Sequence, residues 1–382
     1  MNPTPAFDMV LSNARIVLAD EVVLGSVVLR DGRIVEIGGP SEIGENLDGD
    51  YLIPGLVELH TDHLENHYAP RPRVRWNALA AVQAHDAQIA ASGITTVFDA
   101  LRVGTDEQAD MGGAEMTVLA DAIAASKAAN RLRADHFIHL RCEVSAPDCQ
   151  TSFEQLQHHP LVRLASLMDH APNQRQFASF EAYKAYYQGK LKMSDAALAE
   201  FSARRIGDSE TYAGPHRKAI SQFCRDNGIV LASHDDATIG HVDEAIAQGI
   251  DVAEFPTTIE AARASHDAGL AVLMGAPNVV RGASHSGNVS ARDLAQAGIL
   301  DILSSDYIPF SLIQAAFALG DSVEAITLPH AVRLVTSHPA AAGGLMDRGQ
   351  IAIGKRADLV RVRLDDDIPI VRTVWREGQR VI

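Results

Sequence analysis

The residues with the clearest capacity for chemistry lie in the run Pro54-Gly55-Leu56-Val57-Glu58-Leu59-His60-Thr61-Asp62-His63. An apolar stretch follows a turn signal, Pro54-Gly55, and stops abruptly in metal-binding side chains. His60 and Asp62 are two residues apart, so on a strand they point the same way. A buried barrel strand has this form where it delivers ligands to a catalytic face. Without further support, the same run also reads as a strand end carrying incidental polar residues.

Further along the chain, apolar runs repeatedly end in His, Asp or Glu. Glu143 ends the run His136–Val144, Asp169 and His170 follow Val162–Met168, and His234 with Asp235 and Asp236 closes Ile229–His234. Glu254 lies in Asp251–Phe255, and Ser304-Ser305-Asp306 closes Ile299–Ser305. Solubility alone does not explain polar residues confined to strand ends. Mixed imidazole and carboxylate donors suit zinc, manganese or iron, and the carboxylates are numerous enough to bridge two ions.

The elements that must position these residues alternate. Strands are predicted at Leu56–His60, Thr95–Ala100, His136–Val144, Val162–Met168, Ile229–His234, Asp251–Phe255, Leu270–Gly275 and Ile299–Ser305. Helices at Ala78–Ala91, Glu115–Asn130, Pro215–Asn227, His241–Gln248 and Ala291–Ala297 separate most of them. Eight strands with intervening helices predict a (β/α)8 barrel, a TIM-like fold, over residues 54–349. No Gly-rich phosphate turn follows a strand, which disfavours a doubly wound open sheet. Residues 174–212 exceed an ordinary connection and predict a helical insertion that could cover the site.

Both chain ends read as β-structure. Val10–Val17, Val22–Leu29 and Arg33–Ile37 are rich in Val, Ile and Leu, and Asp31-Gly32 predicts a hairpin between the last two. Ala357–Leu364 and Val371–Ile382 read the same way. The economical expectation is one small β-sandwich domain built from residues 1–53 and 350–382.

The 382 residues are 47% hydrophobic, enough for a large core. The formal net charge of -16 disfavours nucleic acid and anionic membranes as partners. No signal peptide or spanning segment is visible, and 3 cysteines without a Cys-x-x-Cys pair fit a reducing cytoplasm. A homodimer is compatible with such a barrel, although no segment marks an interface.

The opening run resembles the first-strand signature of the amidohydrolase superfamily. The tail does too, in Thr336-Ser337-His338-Pro339-Ala340-Ala341, Gly344-Leu345 and Gly354-Lys355-Arg356-Ala357-Asp358-Leu359-Val360. The resemblance implies a barrel holding one or two divalent metal ions, zinc foremost, with manganese or iron as alternatives. Two departures stand out: the usual His-x-His is His60-x-Asp62, and Glu254 stands where a strand-6 histidine is usual.

These departures narrow the resemblance. His60-Thr61-Asp62-His63-Leu64-Glu65 with Pro70-Arg71-Pro72, Met168-Asp169-His170-Ala171-Pro172-Asn173-Gln174-Arg175-Gln176-Phe177 and Glu254-Phe255-Pro256-Thr257-Thr258 are similar to diphosphatases of the carbon–phosphorus lyase pathway. That similarity implies a ribosyl methylphosphonate triphosphate as the small-molecule substrate, attacked at the α-phosphorus with release of diphosphate. Basic residues on the same loops fit a polyanion: Arg71, Arg73 and Arg75 after the first cluster, Lys190 and Lys192 in the insertion, and Arg281 after the seventh strand.

The expected metal ligands are His60, Asp62, Glu143, His234, Glu254 and Asp306, with Asp306 also the general base. The expected substrate contacts are His63, Arg71, Asp169, His170, Lys190 and Arg281. His85, His158, His159 and His266 read as core or surface histidines without a role. The competing activity is hydrolysis of a C–N bond, as in a deacetylase or cyclic amide hydrolase, since the same activated water could attack a carbonyl. A metal-free scaffold barrel is the non-enzymatic alternative.

Overall fold

A computed structural model describes residues 9–105, 111–172, 174–175, 184, 194–282 and 288–382. The N-terminal strands are β1 (Met9–Val17), β2 (Val22–Arg30), β3 (Arg33–Gly38), β4 (Glu45–Asn46) and β5 (Tyr51–Pro54). Asp31 and Gly32 both take positive φ, at 49° and 75°, which gives the tight turn joining β2 to β3 the twist its strands need.

The barrel strands are β6 (Leu56–Thr61), β7 (Ile94–Val103), β8 (Asp135–Glu143), β9 (Val162–Met168), β10 (Val230–His234), β11 (Val252–Glu254), β12 (Ala271–Gly275) and β13 (Ile302–Ser304). They lie side by side in chain order, every pairing parallel. A bridge from Thr61 to Asp306 draws β6 towards β13 and nearly closes the barrel. Thr61 Oγ1 reinforces it by donating to the Asp306 carbonyl at 2.7 Å. Val57, Leu59, Phe98, Phe137, Leu164, Val252, Leu273 and Ile302 fill the interior below the mouth.

The C-terminal strands, β14 (Leu359–Asp365), β15 (Ile368–Arg376) and β16 (Gln379–Arg380), return to the N-terminal sheet. β14 pairs antiparallel with β5, giving one mixed sheet in the order β16-β15-β14-β5-β1-β2-β3, with β4 on β1. It folds over a separate core of Leu11, Ile16, Ile34, Leu52, Leu359 and Trp375. The segment leading into β14 ties to the β3 edge, where Ile34 N donates to the Lys355 carbonyl and Ala357 N to that of Gly32. The strand that leads into the barrel, β5, thus pairs with the first strand after it, β14.

The predicted strands agree closely in position, but the late ones are shorter than their apolar runs. Ile299–Ser305 contracts to Ile302–Ser304 because Gly298 (φ 68°) turns the chain and Ile299 and Leu300 pack into the helix layer. In the region of the expected insertion, a helix spans Asp195–Asp208 and continues through a π-turn, Ser209–Ala213, into the helix Gly214–Asn227. The rest of that insertion lies outside the described residues, apart from Gln174, Arg175 and Lys184. Among the described residues, no helix is long and apolar enough to cross a membrane. All three cysteines are free and buried.

Candidate active site in the barrel mouth

Strand alternation builds the site. On β8, Phe137, His139, Arg141 and Glu143 share the inward face, so an apolar floor gives way to polar residues towards the C-terminal end. His60 emerges at the end of β6, His234 at the end of β10 and Glu254 at the end of β11. Immediately after β10, β11 and β13 the chain turns through Asp235, Phe255 and Asp306, with φ of 58°, 54° and 54°. Left-handed backbone at three non-glycine residues costs on the order of 1–3 kcal/mol each, and such strain concentrates at functional sites. Here it turns the chain at three successive ligand-bearing strand ends.

A cleft of about 950 Å³, its open mouth included, is lined by His60, Arg141, His170, His234, Asp235, Arg281, Asp306 and Tyr307, among others. Two donor groups lie in or beneath it. In the first, His60, His139 and Glu254 bring ligand atoms within 4.8 Å of one another. His60 Nδ1 is 3.1 Å from Glu254 Oε1. His139 has both nitrogens engaged: Nδ1 donates to the Leu59 carbonyl at 2.9 Å and Nε2 accepts from Ser166 Oγ at 2.9 Å. His139 therefore braces the site. Burial pushes the His139 imidazole down to about 3 and holds His60 well below its ordinary value, so both rings are neutral.

The second group is His170, His234 and Asp235. His234 Nδ1 and Asp235 Oδ2 are 2.9 Å apart without hydrogen-bond geometry. His170 lies 3.7 Å from Asp235 through Nε2 and 2.6 Å from Glu143 Oε2 through Nδ1. Burial opposes charge on His170, but Glu143 and Asp235 outweigh it and raise the imidazole to about 10. The two groups adjoin: the His234 ring centroid is 5.7 Å from that of His60 and 5.6 Å from that of His170.

The donor set fits divalent metal. His234 Nδ1, Asp235 Oδ2 and Glu254 Oε2 are buried and lack hydrogen-bond partners, an arrangement that is costly unless a cation joins them. Asp306 points the same way. Burial, then the neighbouring Asp62 carboxylate, pushes its carboxyl up to about 7 despite the opposing charge of Arg141. Beneath it, Glu58 clasps β6 to β13 by accepting from His60 N at 2.7 Å, Ser304 Oγ at 2.7 Å and Ser305 N. A third donor group, His85, Asp99 and His136, lies outside the barrel wall, away from the mouth.

The structure brings His60, His234, Glu254 and Asp306 together. Glu143 sits behind His170, paired also with Arg205 at 3.2 Å. Asp62 is held by Arg141 at 3.0 Å. Arg281 stands exposed on the rim. Three expected substrate contacts are placed elsewhere. His63 turns away to Gln88, Asp169 is taken up by Ser209 Oγ and Ala171 N, and Arg71 is exposed on a loop that does not line the cleft. Lys190 and Lys192 lie outside the described residues.

Sequence reasoning passed over Arg141, His139 and Glu58. The alternation Phe137, His139, Arg141, Glu143 on one strand face was the available signal for the first two. Glu58 carries none, because its partners on the last barrel strand, Ser304 and Ser305, lie 246 and 247 residues away.

Comparison with known proteins places this geometry. The Amidohydrolase family profile matches residues 77–382. The chain is 47% identical over 377 residues to alpha-D-ribose 1-methylphosphonate 5-triphosphate diphosphatase of Escherichia coli (strain K12), covering 98% of this chain and 100% of the relative. A D-hydantoinase of Ralstonia pickettii is 33% identical over 97 residues, 24% of this chain and 20% of that protein. Among solved structures, 5-methylcytosine deaminase from Klebsiella pneumoniae liganded with phosphonocytosine superposes with a TM-score of 0.66 at 15% identity, covering 98% of each chain. N-acetylglucosamine-6-phosphate deacetylase from Pasteurella multocida does so with a TM-score of 0.60 at 15% identity, covering 98% of this chain and 99% of its own. At these identities the solved structures speak for the fold alone.

Proposed function

The chain belongs to the amidohydrolase family, and from that premise we propose that it is a metal-dependent diphosphatase of phosphonate breakdown. It converts alpha-D-ribose 1-methylphosphonate 5-triphosphate and water to the 5-phosphate and diphosphate. The observation that carries this reading is the full-length similarity to the Escherichia coli diphosphatase. The cleft is compatible with it, as a polar mouth with cationic side chains inside and at the rim.

His60, His234, Asp235, Glu254 and Asp306 are the residues that would hold divalent metal, with His170 and Glu143 adjoining. Their imidazole and carboxylate mixture favours zinc, with manganese or iron as alternatives. A bound divalent ion supplies Lewis acidity, lowering the pKa of water and drawing charge from phosphoryl oxygens.

The remaining work falls to side chains. The Asp306 carboxylate takes the proton of the attacking water, as a positioned general base. Attack on the α-phosphorus breaks its bond to the bridging oxygen, and diphosphate departs with the bond's electron pair. Arg141, inside the mouth, and Arg281, on the rim, meet the polyphosphate, where guanidinium donors match phosphoryl oxygens. Among the described residues these are the Arg and Lys side chains that line the cleft. The acidic balance of the chain and its buried free thiols support a cytoplasmic setting.

A substrate panel tests the reading. Metal-loaded protein should turn over the ribosyl triphosphate and leave cyclic amides and N-acetyl compounds intact. Turnover of an amide in place of the triphosphate would move the function to C–N hydrolysis.

A further inference from the structure

Outside the barrel wall, the short helix His63–Tyr68 packs against the helix Ala78–Ala91. His63 and His67 are four residues apart on the first helix, hence on one face of it. His85 faces them from the second. The three ring centroids are 5.1 Å (His63 to His67), 5.9 Å (His67 to His85) and 6.1 Å (His63 to His85) apart. From this geometry we propose that His63, His67 and His85 form a second metal site, of the zinc class, independent of the barrel mouth.

Each ring has one buried nitrogen with no hydrogen-bond partner: His63 Nδ1, His67 Nε2 and His85 Nδ1. His85 is fully buried, so its orphaned nitrogen has no recourse to water. The other nitrogens settle which tautomer is present. His85 Nε2 is 2.7 Å from Asp99 Oδ1, and His63 Nε2 is 3.0 Å from Gln88 Oε1. Both partners are oxygens that can only accept, so both Nε2 atoms carry the proton and both Nδ1 atoms present a lone pair. A ligating histidine that donates its other N–H to a carboxylate or carbonyl has this same arrangement.

Without a cation the cluster is unfavourable, since it leaves three buried imidazole nitrogens without a hydrogen-bond partner. Burial holds His85 and His67 below the ordinary imidazole range, which favours the uncharged form that can ligate a metal. Three imidazoles around a tetrahedral zinc ion, with bonds of about 2 Å, place their ring centroids about 5 Å apart. His63 and His67 already meet that spacing. The His85 ring stands 5.9 Å from His67 and 6.1 Å from His63, so binding would draw the rings about 1 Å closer, led by the half-buried His67. Three imidazole nitrogen donors select a borderline transition ion and reject magnesium or calcium, which demand oxygen. Such an ion would pin the helix that directly follows His60 and Asp62 to its neighbour.

Anomalous diffraction at the zinc edge, on crystals of the full chain equilibrated with zinc chloride, reads the site directly. A peak within bonding distance of the three rings is the expected result; an empty position there, with the rings unmoved, overturns the proposal. In solution, zinc content after dialysis gives an independent reading. His67→Ala and His63→Gln should each hold one molar equivalent less than the parent protein, with folding checked by circular dichroism. Variants with the parent zinc content would contradict the site, and if either failed to fold the diffraction result stands by itself.

Discussion

Arg141 Nη1 lies 3.0 Å from Asp62 Oδ2 inside the barrel mouth. This pairing changes the meaning of the strand-end motif. Asp62 occupies the position where the superfamily usually has a second histidine, and here it holds a guanidinium beside Asp306 and the imidazoles. The Nε of Arg141 is buried and has no hydrogen-bond partner, which leaves a donor for an incoming phosphoryl oxygen. An aspartate in place of histidine thus brings a cation where a phosphoanhydride needs one and a neutral amide does not.

Arg141→Met should therefore lower kcat by about 100-fold, the usual effect of losing one preorganised charge at a developing anion. Steady-state kinetics on the ribosyl triphosphate check this. An unchanged kcat would remove Arg141 from the reaction.

Chelation should abolish activity, and zinc or manganese should restore it. Asp306→Asn keeps the side chain's size but loses its capacity to take a proton. Its kcat should fall by at least about 100-fold after metal reloading, in line with general-base contributions. Activity surviving exhaustive chelation would contradict the metal assignment.

Arg205, on the helix Asp195–Asp208, is buried against Glu143. Arg205→Ala leaves that carboxylate with His170 and Ser145, and breaking a buried pair from one side costs about 3 kcal/mol. Denaturant unfolding should show the loss. A wild-type midpoint would mean that solvent replaces the pairing.

Asp135, at the start of β8, gathers Arg348 at 2.7 Å, Arg356 at 2.5 Å and Arg376 at 3.5 Å. Burial would raise its pKa, but the charge of Arg356 and the charge and hydrogen bond of Arg348 outweigh that and lower it. A folded pKa below the unfolded value, about 4, gives stability that is present above pH 4 and lost as pH falls through the depressed folded value. Asp135→Asn should be about 2 kcal/mol less stable at neutral pH, with the deficit shrinking below pH 4. A pH-independent deficit would assign the effect to packing.

Much of this architecture was legible because buried parallel strands leave a strong imprint. Val162–Met168 is a strand with the predicted bounds, and Asp31-Gly32 turns as its residue types require. The mouth was legible in outline, because His60, His234 and Asp306 each follow an apolar run. Arg141 and His139 were marked only by alternation along their strand, since a polar residue within a strand reads as a solvated face until the barrel closes around it. The cluster of His63, His67 and His85 depends on two helices packing, and nothing in local sequence marks His85 as facing the other two. Arg71 shows the converse: a basic residue close in sequence to a ligand motif can still be carried away on an exposed loop.

Hydrolysis of alpha-D-ribose 1-methylphosphonate 5-triphosphate in heavy-oxygen water, followed by phosphorus NMR, tests the central claim most directly. The metal-loaded protein should release diphosphate and the 5-phosphate in equal amounts, with the heavy oxygen on the 5-phosphate. Release of orthophosphate, heavy oxygen on the diphosphate, or no turnover at all would contradict it.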